Sequence, residues 1–367
     1  MGSPHPNVSD HLVLGLETSC DETAAAVVRG DGAVLAEALV SQIDDHAPYG
    51  GVVPEIAARA HLEHADVLVA EAMRRAGVGF GDLTAVAATG GPGLIGGVIV
   101  GTMTAKAIAI AHGLPYLAVN HLEGHALSPR LTAPDVAPVA FPYLLLLVSG
   151  GHCQILSVRG VGDYRRLGAT IDDALGEAFD KTAKLLGLGF PGGPAVQNAA
   201  TTGDAKRFAL PRPLAGRAGC DFSFSGLKTA VRQTLEKQAQ PVDDQTKHDI
   251  AASFQAAAVA TVLDRTRNGW AMATADGAHH TALVCAGGVA ANTALRVGLN
   301  GLAADLGCPL VVPETRLCTD NAQMIAWAAI ERLARDPNDH DSLGFKPRPR
   351  WPLDPNAAPM AFAGAKA

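Results

Sequence analysis

Two periods of hydrophobicity alternate along this chain, and their order repeats. The stretch LVLGLETSCDETAAAVVRGDGAVLAEAL (12–39) reads as an apolar strand, a small polar turn, a second strand, a Gly-x-Gly turn and a third strand. From Tyr143, YLLLLVSGGHCQILSVRGVGDYRRLG repeats the order, with Val28-Arg29-Gly30-Asp31-Gly32 matching Val158-Arg159-Gly160-Val161-Gly162 and Cys20 opposite Cys153. An internal echo of this kind predicts two related α/β lobes with a cleft between them. Between the echoes the pattern predicts a helix from about Pro54 to Arg75, a strand near Leu83–Thr89, a glycine turn at Gly90–Gly93, a long apolar helix and a strand at Tyr116–Val119. Strands alternating with helices predict a mixed or parallel sheet covered by helices.

The proline-heavy segment LTAPDVAPVAFP (131–142) is the expected hinge. Beyond it, IDDALGEAFDKTAKLLG (171–187) keeps a helical period through Ile171, Leu175, Phe179, Thr182 and Leu186. TALVCAGGVAAN (281–292) reads as strand, glycine turn and helix start. CTDNAQMIAWAAIERLA (318–334) reads as a last helix with Thr319 or Asp320 as N-cap. The expected division is a disordered 1–10, an N-terminal lobe 11–142, a C-terminal lobe 143–335 whose last helix (320–334) crosses back, and an irregular tail 336–367.

Composition narrows the class. Of 367 residues, 48% are hydrophobic and 18% charged, which supports a large core and argues against global disorder. A net charge of −7 confines any nucleic-acid contact to local basic patches, of which Arg74-Arg75, Arg165-Arg166 and Lys346–Arg350 are candidates. Six scattered cysteines read as reduced and cytosolic, and MGSPHPNVSD has neither the basic start nor the apolar run of a secretory signal. The stretch LIGGVIVGTMTAKAIAIAHG (94–113) is barely long enough for a bilayer and contains Lys106, so a core helix is expected and no membrane partner.

The chemistry starts at His121 and His125 in NHLEGHALS. Four apart on a helix, two imidazoles reach one ion. Asp320 is a candidate third ligand, against simple helix capping. Glu123 stands two residues after His121, about 200° around a helix, which does not fit a metallopeptidase base. Glycine turns at Gly90–Gly93, Ser149-Gly150-Gly151 and Gly287-Gly288 can bring backbone N–H groups to phosphate oxygens. They match neither the dinucleotide fingerprint nor a P-loop. Glu17, Asp21 and Glu22 can supply a base or orient a substrate. Asp180 can accept from ribose hydroxyls or pair with Lys184. A Cys153–His152 nucleophile pair is disfavoured, since strand neighbours face opposite ways.

LGLETSCDETAAAVV, YGGVVPEIAARAH, GPGLIGG, NHLEGHALSP, LLVSGGHCQIL, IDDALGEAFDKTAKLLGLGFPGGPA, DFSFSGLKTA, CAGGVAAN and LCTDNAQMIA together resemble the bacterial TsaD family over residues 12 to 353. The resemblance implies the two-lobed, duplicated ribonuclease-H-like fold of actin, the sugar kinases and the heat-shock ATPases. It implies a transferase that joins a threonylcarbamoyl group from threonylcarbamoyl-AMP to the exocyclic amine of adenosine 37 of tRNA. By motif match His121, His125 and Asp320 would hold one metal, iron in the usual assignment with zinc as the alternative. Leu147, Val148, Ser149, Gly150, Gly151, Asp180, Gly193 and Asn292 would line the adenylate site. Asp21 or Glu22 is the expected base. A non-catalytic paralogue and a small ATPase are the implied partners. Departures are Cys153, often threonine in the family, and the longer hinge. Three other readings are a small-molecule kinase of the same fold, a zinc peptidase and a non-catalytic scaffold. The first has no use for a His-His-Asp site, the second lacks its glutamate and the third would lack the histidines.

Overall fold

The two echoing stretches fold into two copies of one sheet. The computed structural model describes residues 10–49, 51–134 and 136–358. Its strands are β1 (Leu12–Glu17), β2 (Glu22–Arg29), β3 (Val34–Ser41), β4 (Ala85–Gly91), β5 (Tyr116–Asn120), β6 (Tyr143–Val148), β7 (Cys153–Gly160), β8 (Asp163–Ala169), β9 (Leu283–Ala286) and β10 (Leu310–Val311). The principal helices are α1 (Pro54–Ala76), α2 (Ile95–His112), α3 (His121–Leu127), α4 (Leu175–Leu186), α5 (Gly192–Ala200), α6 (Ser225–Glu236), α7 (Asp244–Ala275), α8 (Thr293–Leu306) and α9 (Ala322–Arg335). The first sheet runs β3-β2-β1-β4-β5 and the second β8-β7-β6-β9-β10. In each, the first three strands pair antiparallel and the last two join in parallel.

Register refines the echo. Glu17 faces Ala24 at the end of the first hairpin, and Val148 faces Cys153 at the end of the second. Cys153 therefore occupies the place of Ala24, and Cys20 lies in the turn; the two cysteines are not equivalent. The N-terminal turn is two residues longer, and Asp21 and Glu22 lie within that longer span.

The inner strands of both sheets, β1 and β4 in the first and β6 and β9 in the second, are buried on both faces. In β1, Val13 packs with α9, whereas Leu14 and Leu16 face α1 and α2. Strand alternation sets this division. Gly15 is the contact point: a Cβ there would lie 2.6 Å from Ala322 O and 2.7 Å from Ala326 N, so only glycine lets α9 lie on β1. Leu122 and Ala126 of α3 pack against Tyr143, Leu145 and Leu147 of the other sheet, and the Tyr143 hydroxyl donates to Ala126 O. Helix α2 buries one face against the first sheet while Ile95, Ile99, Met103 and Ile110 stay exposed. It is long and apolar enough to cross a bilayer by length and composition alone.

Several boundaries differ from the pattern. The segment 171–174 is a loop, not the start of α4, because its polar groups are already engaged. Thr170 Oγ1 donates to Asp173 O, and Asp172 accepts from Ser223 Oγ (2.5 Å), Ser225 Oγ (2.8 Å) and the Phe224 (2.8 Å) and Ser225 (3.2 Å) amides. Burial alone would raise the Asp172 carboxyl, but these donors outweigh it and hold the group below its ordinary range. Its stabilisation is complete above the unfolded-chain pKa of about 3.9 and is lost as pH falls through the lower folded value. Asp172→Asn should cost about 2 kcal/mol at pH 7, with the gap to wild type closing on acidification; urea titrations at pH 7 and pH 3 check this.

The last helix is capped by Asn321, whose Oδ1 accepts from Met324 N at 2.9 Å, not by Thr319 or Asp320. Asp320 is thereby released from the capping role. Segment 131–142, apart from Asp135, is irregular; Arg130 before it pairs with Glu331 of α9 at 2.7 Å and stacks on Phe141. The tail is irregular through 358 yet tied down: Asp341 N donates to Tyr116 O and Asp341 Oδ2 accepts from Ala118 N. Residues 1–9 and 359–367, on which the disordered start and the end of the tail fall, lie outside the described residues.

Candidate active site

Strand β5 ends at Asn120, whose side chain caps α3 by accepting from Leu122 N. The cap fixes where α3 begins and so aims His121 and His125 down one face. From the opposite side the turn before α9 delivers Asp320. Its Oδ1 lies 3.1 Å from His125 Nε2 and 3.4 Å from His121 Nε2, and one ligand atom from each residue falls within 4.8 Å of the others. The two rings meet edge to face at 4.8 Å, and both histidines are buried.

The outer partners match a metal site. His121 Nδ1 lies 3.0 Å from Glu17 Oε2 and 3.1 Å from Ser19 Oγ, which leaves Nε2 turned to Asp320. Glu17 is itself held by Thr89 Oγ1 and the Ser19 amide. A carboxylate behind a histidine fixes its tautomer and raises its basicity as a ligand. Burial works against a charged His121, but Asp320 and Glu17 outweigh it and drive its pKa well above the ordinary value; His121 and His125 conversely hold Asp320 well below. The space favours a cation, and a metal ion would take the proton's place. His125 Nδ1 is buried with no hydrogen-bond partner among the described residues, so its aim rests on α3, on Asp320 at Nε2 and on the edge of the His121 ring. Two imidazoles and a carboxylate leave coordination positions open and suit ferrous iron and zinc alike. Glu17→Gln should weaken metal affinity about 10- to 100-fold, read by competition with a chromophoric chelator; unaltered affinity would remove Glu17 from this role.

Glu22 sits beside the trio. Burial first, then the charges of Asp320, Asp21 and Glu17, push its carboxyl up to about 9. Glu123 lies elsewhere: it is buried, accepts from the Tyr164 hydroxyl at 2.8 Å and is pushed up by burial. Cys153 is a buried thiol raised by burial, which removes the Cys–His pair from consideration.

In the second lobe a cavity of about 270 Å³ is lined by Gly150, Gly176, Phe179, Asp180, Gly193, Gln197, Gly288 and Asn292, among others. Five residues singled out from sequence meet there: Gly150, Asp180, Gly193, Gly288 and Asn292. Ser149 builds the turn, its amide donating to His152 O and its Oγ accepting from His152 N. Leu147 and Val148 have fully buried side chains in separate cores, so only their backbone can serve the cavity. Gly151 does not line it. Asp180 accepts from Gly192 N at 2.8 Å and forms no ion pair with Lys184 among the described residues; Lys181 pairs instead with Asp173 and Glu177. Burial raises its carboxyl, opposed by the Gly192 amide and assisted by Asp21 across the cleft. Asn292 caps α8 through Leu295 N and donates to Gln255 Oε1. Gln197 and Gly176 carried no signal of their own and Phe179 only that of a buried helical position; projections of α4 and α5 taken separately would have set Gly176 one turn from Asp180 and Gln197 one turn from Gly193.

One expected phosphate turn is closed. A Cβ on Gly91 would lie 1.8 Å from Arg348 O, and Gly90 packs on Phe345. The tail fills the space above Gly90–Gly93. Its counterpart at the end of β9, Gly287-Gly288, stays open beside Gly150.

Two sheets of one order, each with a parallel strand pair ending in a glycine turn, define a duplicated, two-lobed ribonuclease-H-like protein of the actin and sugar-kinase type, here with a candidate metal centre on one lobe and a ligand cavity on the other. Solved structures share this fold. HypF from T. kodakarensis gives a TM-score of 0.56 at 15% identity, over 89% of this chain and 48% of that one. Component A of the Acidaminococcus fermentans (R)-2-hydroxyglutaryl-CoA dehydratase gives 0.50 at 16% identity, over 88% and 99%. At such identities the likeness is one of fold. The family is specified by sequence. The profile described as "TsaD: tRNA N6-adenosine threonylcarbamoyltransferase" matches residues 33–327. The chain is 62% identical to the tRNA N6-adenosine threonylcarbamoyltransferase of Paramagnetospirillum magneticum, over 97% of this chain and 100% of that one, and 60% identical to that of Rhodospirillum rubrum, over 96% and 97%. The chain belongs to the TsaD family of transferases.

Proposed function

We propose that this chain transfers the threonylcarbamoyl group of threonylcarbamoyl-AMP to N6 of adenosine 37, in tRNAs that read codons beginning with adenine, the acyl–phosphate bond breaking as the amide-type bond forms and AMP leaving. The carrying observation is a His121–His125–Asp320 trio on one lobe and a cavity bearing Gly150, Asp180, Gly193 and Asn292 on the other, linked through Asp21, whose charge is felt by Asp180 and, with that of Asp320, by Glu22. In this reading the adenylate lies in the cavity, with its sugar toward Asp180, and the strand-end backbone at Leu147–Gly151 borders it. His121, His125 and Asp320 would hold one metal ion, assigned as iron, and the chemistry it would supply there is Lewis-acid polarisation of the donor. The chain's residues then have defined tasks: the cavity walls hold the donor in line and keep water from the acyl bond. A carboxylate, Asp21 or Glu22, takes the proton lost by the attacking amine; the role falls to Asp21 at neutral pH, because Glu22, pushed up to about 9, already carries a proton. The target base must be splayed from its loop to reach the cleft.

The lobe limits 11–142 and 143–335 are kept as working units, with α9 joining them. A paralogue and a small ATPase are proposed as partners; the exposed apolar residues Leu62, Val67, Ile99, Met103 and Ile110 on α1 and α2 support a protein partner. A cytoplasmic location is proposed on the six free cysteines. Mass spectrometry of tRNA nucleosides from cells depleted of the protein tests the reading. Loss of threonylcarbamoyladenosine is expected, with return on re-expression; an undiminished level in cells without a second copy overturns it.

A further inference from the structure

The segment 345–351, Phe-Lys-Pro-Arg-Pro-Arg-Trp, is a strap across the mouth of the N-terminal lobe. Arg348 N donates to Gly90 O at 2.8 Å, Pro349 O accepts from Gly93 N at 3.3 Å, and Trp351 O accepts from Asn120 Nδ2 at 3.0 Å. Phe345 O accepts from Lys106 Nζ at 2.6 Å. The Arg348 guanidinium stacks 5.1 Å from the Phe345 ring and 4.8 Å from Trp351. Pro347 and Pro349 fix the backbone between these anchors. The result is a stiff ribbon with cations at alternate positions.

Its location is what gives those cations a use. Gly93, which binds the strap, packs directly on Ser19, and Ser19 Oγ lies 3.1 Å from His121 Nδ1. Asn120, its other anchor, immediately precedes His121. Lys346, Arg348 and Arg350 are exposed, and none forms an ion pair among the described residues. The neighbouring centre carries the carboxylates Glu17, Asp21 and Asp320, and the chain carries a net charge of −7. A polyanion approaching this centre meets repulsion unless fixed cations flank it.

We propose that Lys346, Arg348 and Arg350 form a phosphate-binding rail that holds the RNA backbone beside the reacting adenosine. This rests on the transferase reading and adds the surface that presents its RNA substrate. Being pre-ordered, the rail binds without the cost of ordering a loop.

The test uses the full-length chain in the complex with which it purifies. The Lys346→Gln/Arg350→Gln variant spares Arg348, whose stacking anchors the strap. Its KM for tRNA should rise about ten-fold near 0.15 M salt, and the slope of log affinity against log salt should shrink by about 1.4 to 1.8, as expected for two lost phosphate contacts. The metal content and unfolding midpoint should match wild type, and Lys346→Arg/Arg350→Lys should restore the slope. An unchanged slope and KM in the glutamine variant, or failure of the charge-preserving variant to restore them, overturns the rail while leaving the transferase reading intact. Wild-type protein that leaves tRNA unmodified in the same assay overturns the transferase reading, and the rail with it.

Discussion

Replacing His125 with alanine is expected to abolish stable metal retention and to lower turnover by about a thousand-fold, the two losses falling together. His125 supplies one of two imidazoles around Asp320, and its Nε2 is 3.1 Å from the carboxylate. Without it a site of two protein ligands remains, short of the three that catalytic metal centres ordinarily keep. A Lewis acid gripping the donor oxygens is worth several kcal/mol of barrier, which sets the magnitude. Metal analysis of the purified variant beside single-turnover transfer checks the outcome. Full activity from metal-free protein would remove the trio from the reaction. The fold should survive, because α3 keeps its Asn120 cap and its contacts through Leu122 and Ala126.

The second large effect comes from a residue with no side chain. Gly15→Ala is expected to cost about 3 kcal/mol, the upper end for forcing atoms into a packed interior. The added carbon would sit 2.6 Å from a carbonyl and 2.7 Å from an amide of α9, both backbone atoms that no rotamer change can move. Relief requires α9 to lift from β1, and Asp320 immediately precedes the cap of that helix. The variant should therefore lose metal affinity along with stability. Chemical denaturation and chelator competition on the same preparation test the coupling; a metal affinity equal to wild type would uncouple the helix from the centre.

The parts of the fold legible in the chain were those where burial imposes a period. The paired hairpins showed as repeated apolar runs, since β1 and β6 are covered on both faces and carry almost no polar positions. Their register did not show, because a two-residue difference in turn length changes no hydrophobic pattern. Helix ends were misplaced where side chains competed for the same carbonyls and amides. Asp172 and Thr170 hold 171–174 out of α4, and Asn321 takes the cap that Thr319 or Asp320 was expected to fill. The histidine pair was visible through its spacing. That Glu17 backs His121 was not, because 104 residues separate them and only the β1–β4–β5 pairing brings their ends together. Motif resemblance located Asp180, Gly193 and Asn292, whose convergence periodicity alone did not predict.

The strap over Gly90–Gly93 has a further consequence for a molecule made of two similar halves. Of the two equivalent strand-end turns, segment 345–351 covers the one at Gly90–Gly93, while among the described residues the one at Gly287-Gly288 stays open, so two halves of one pattern differ in what they can admit.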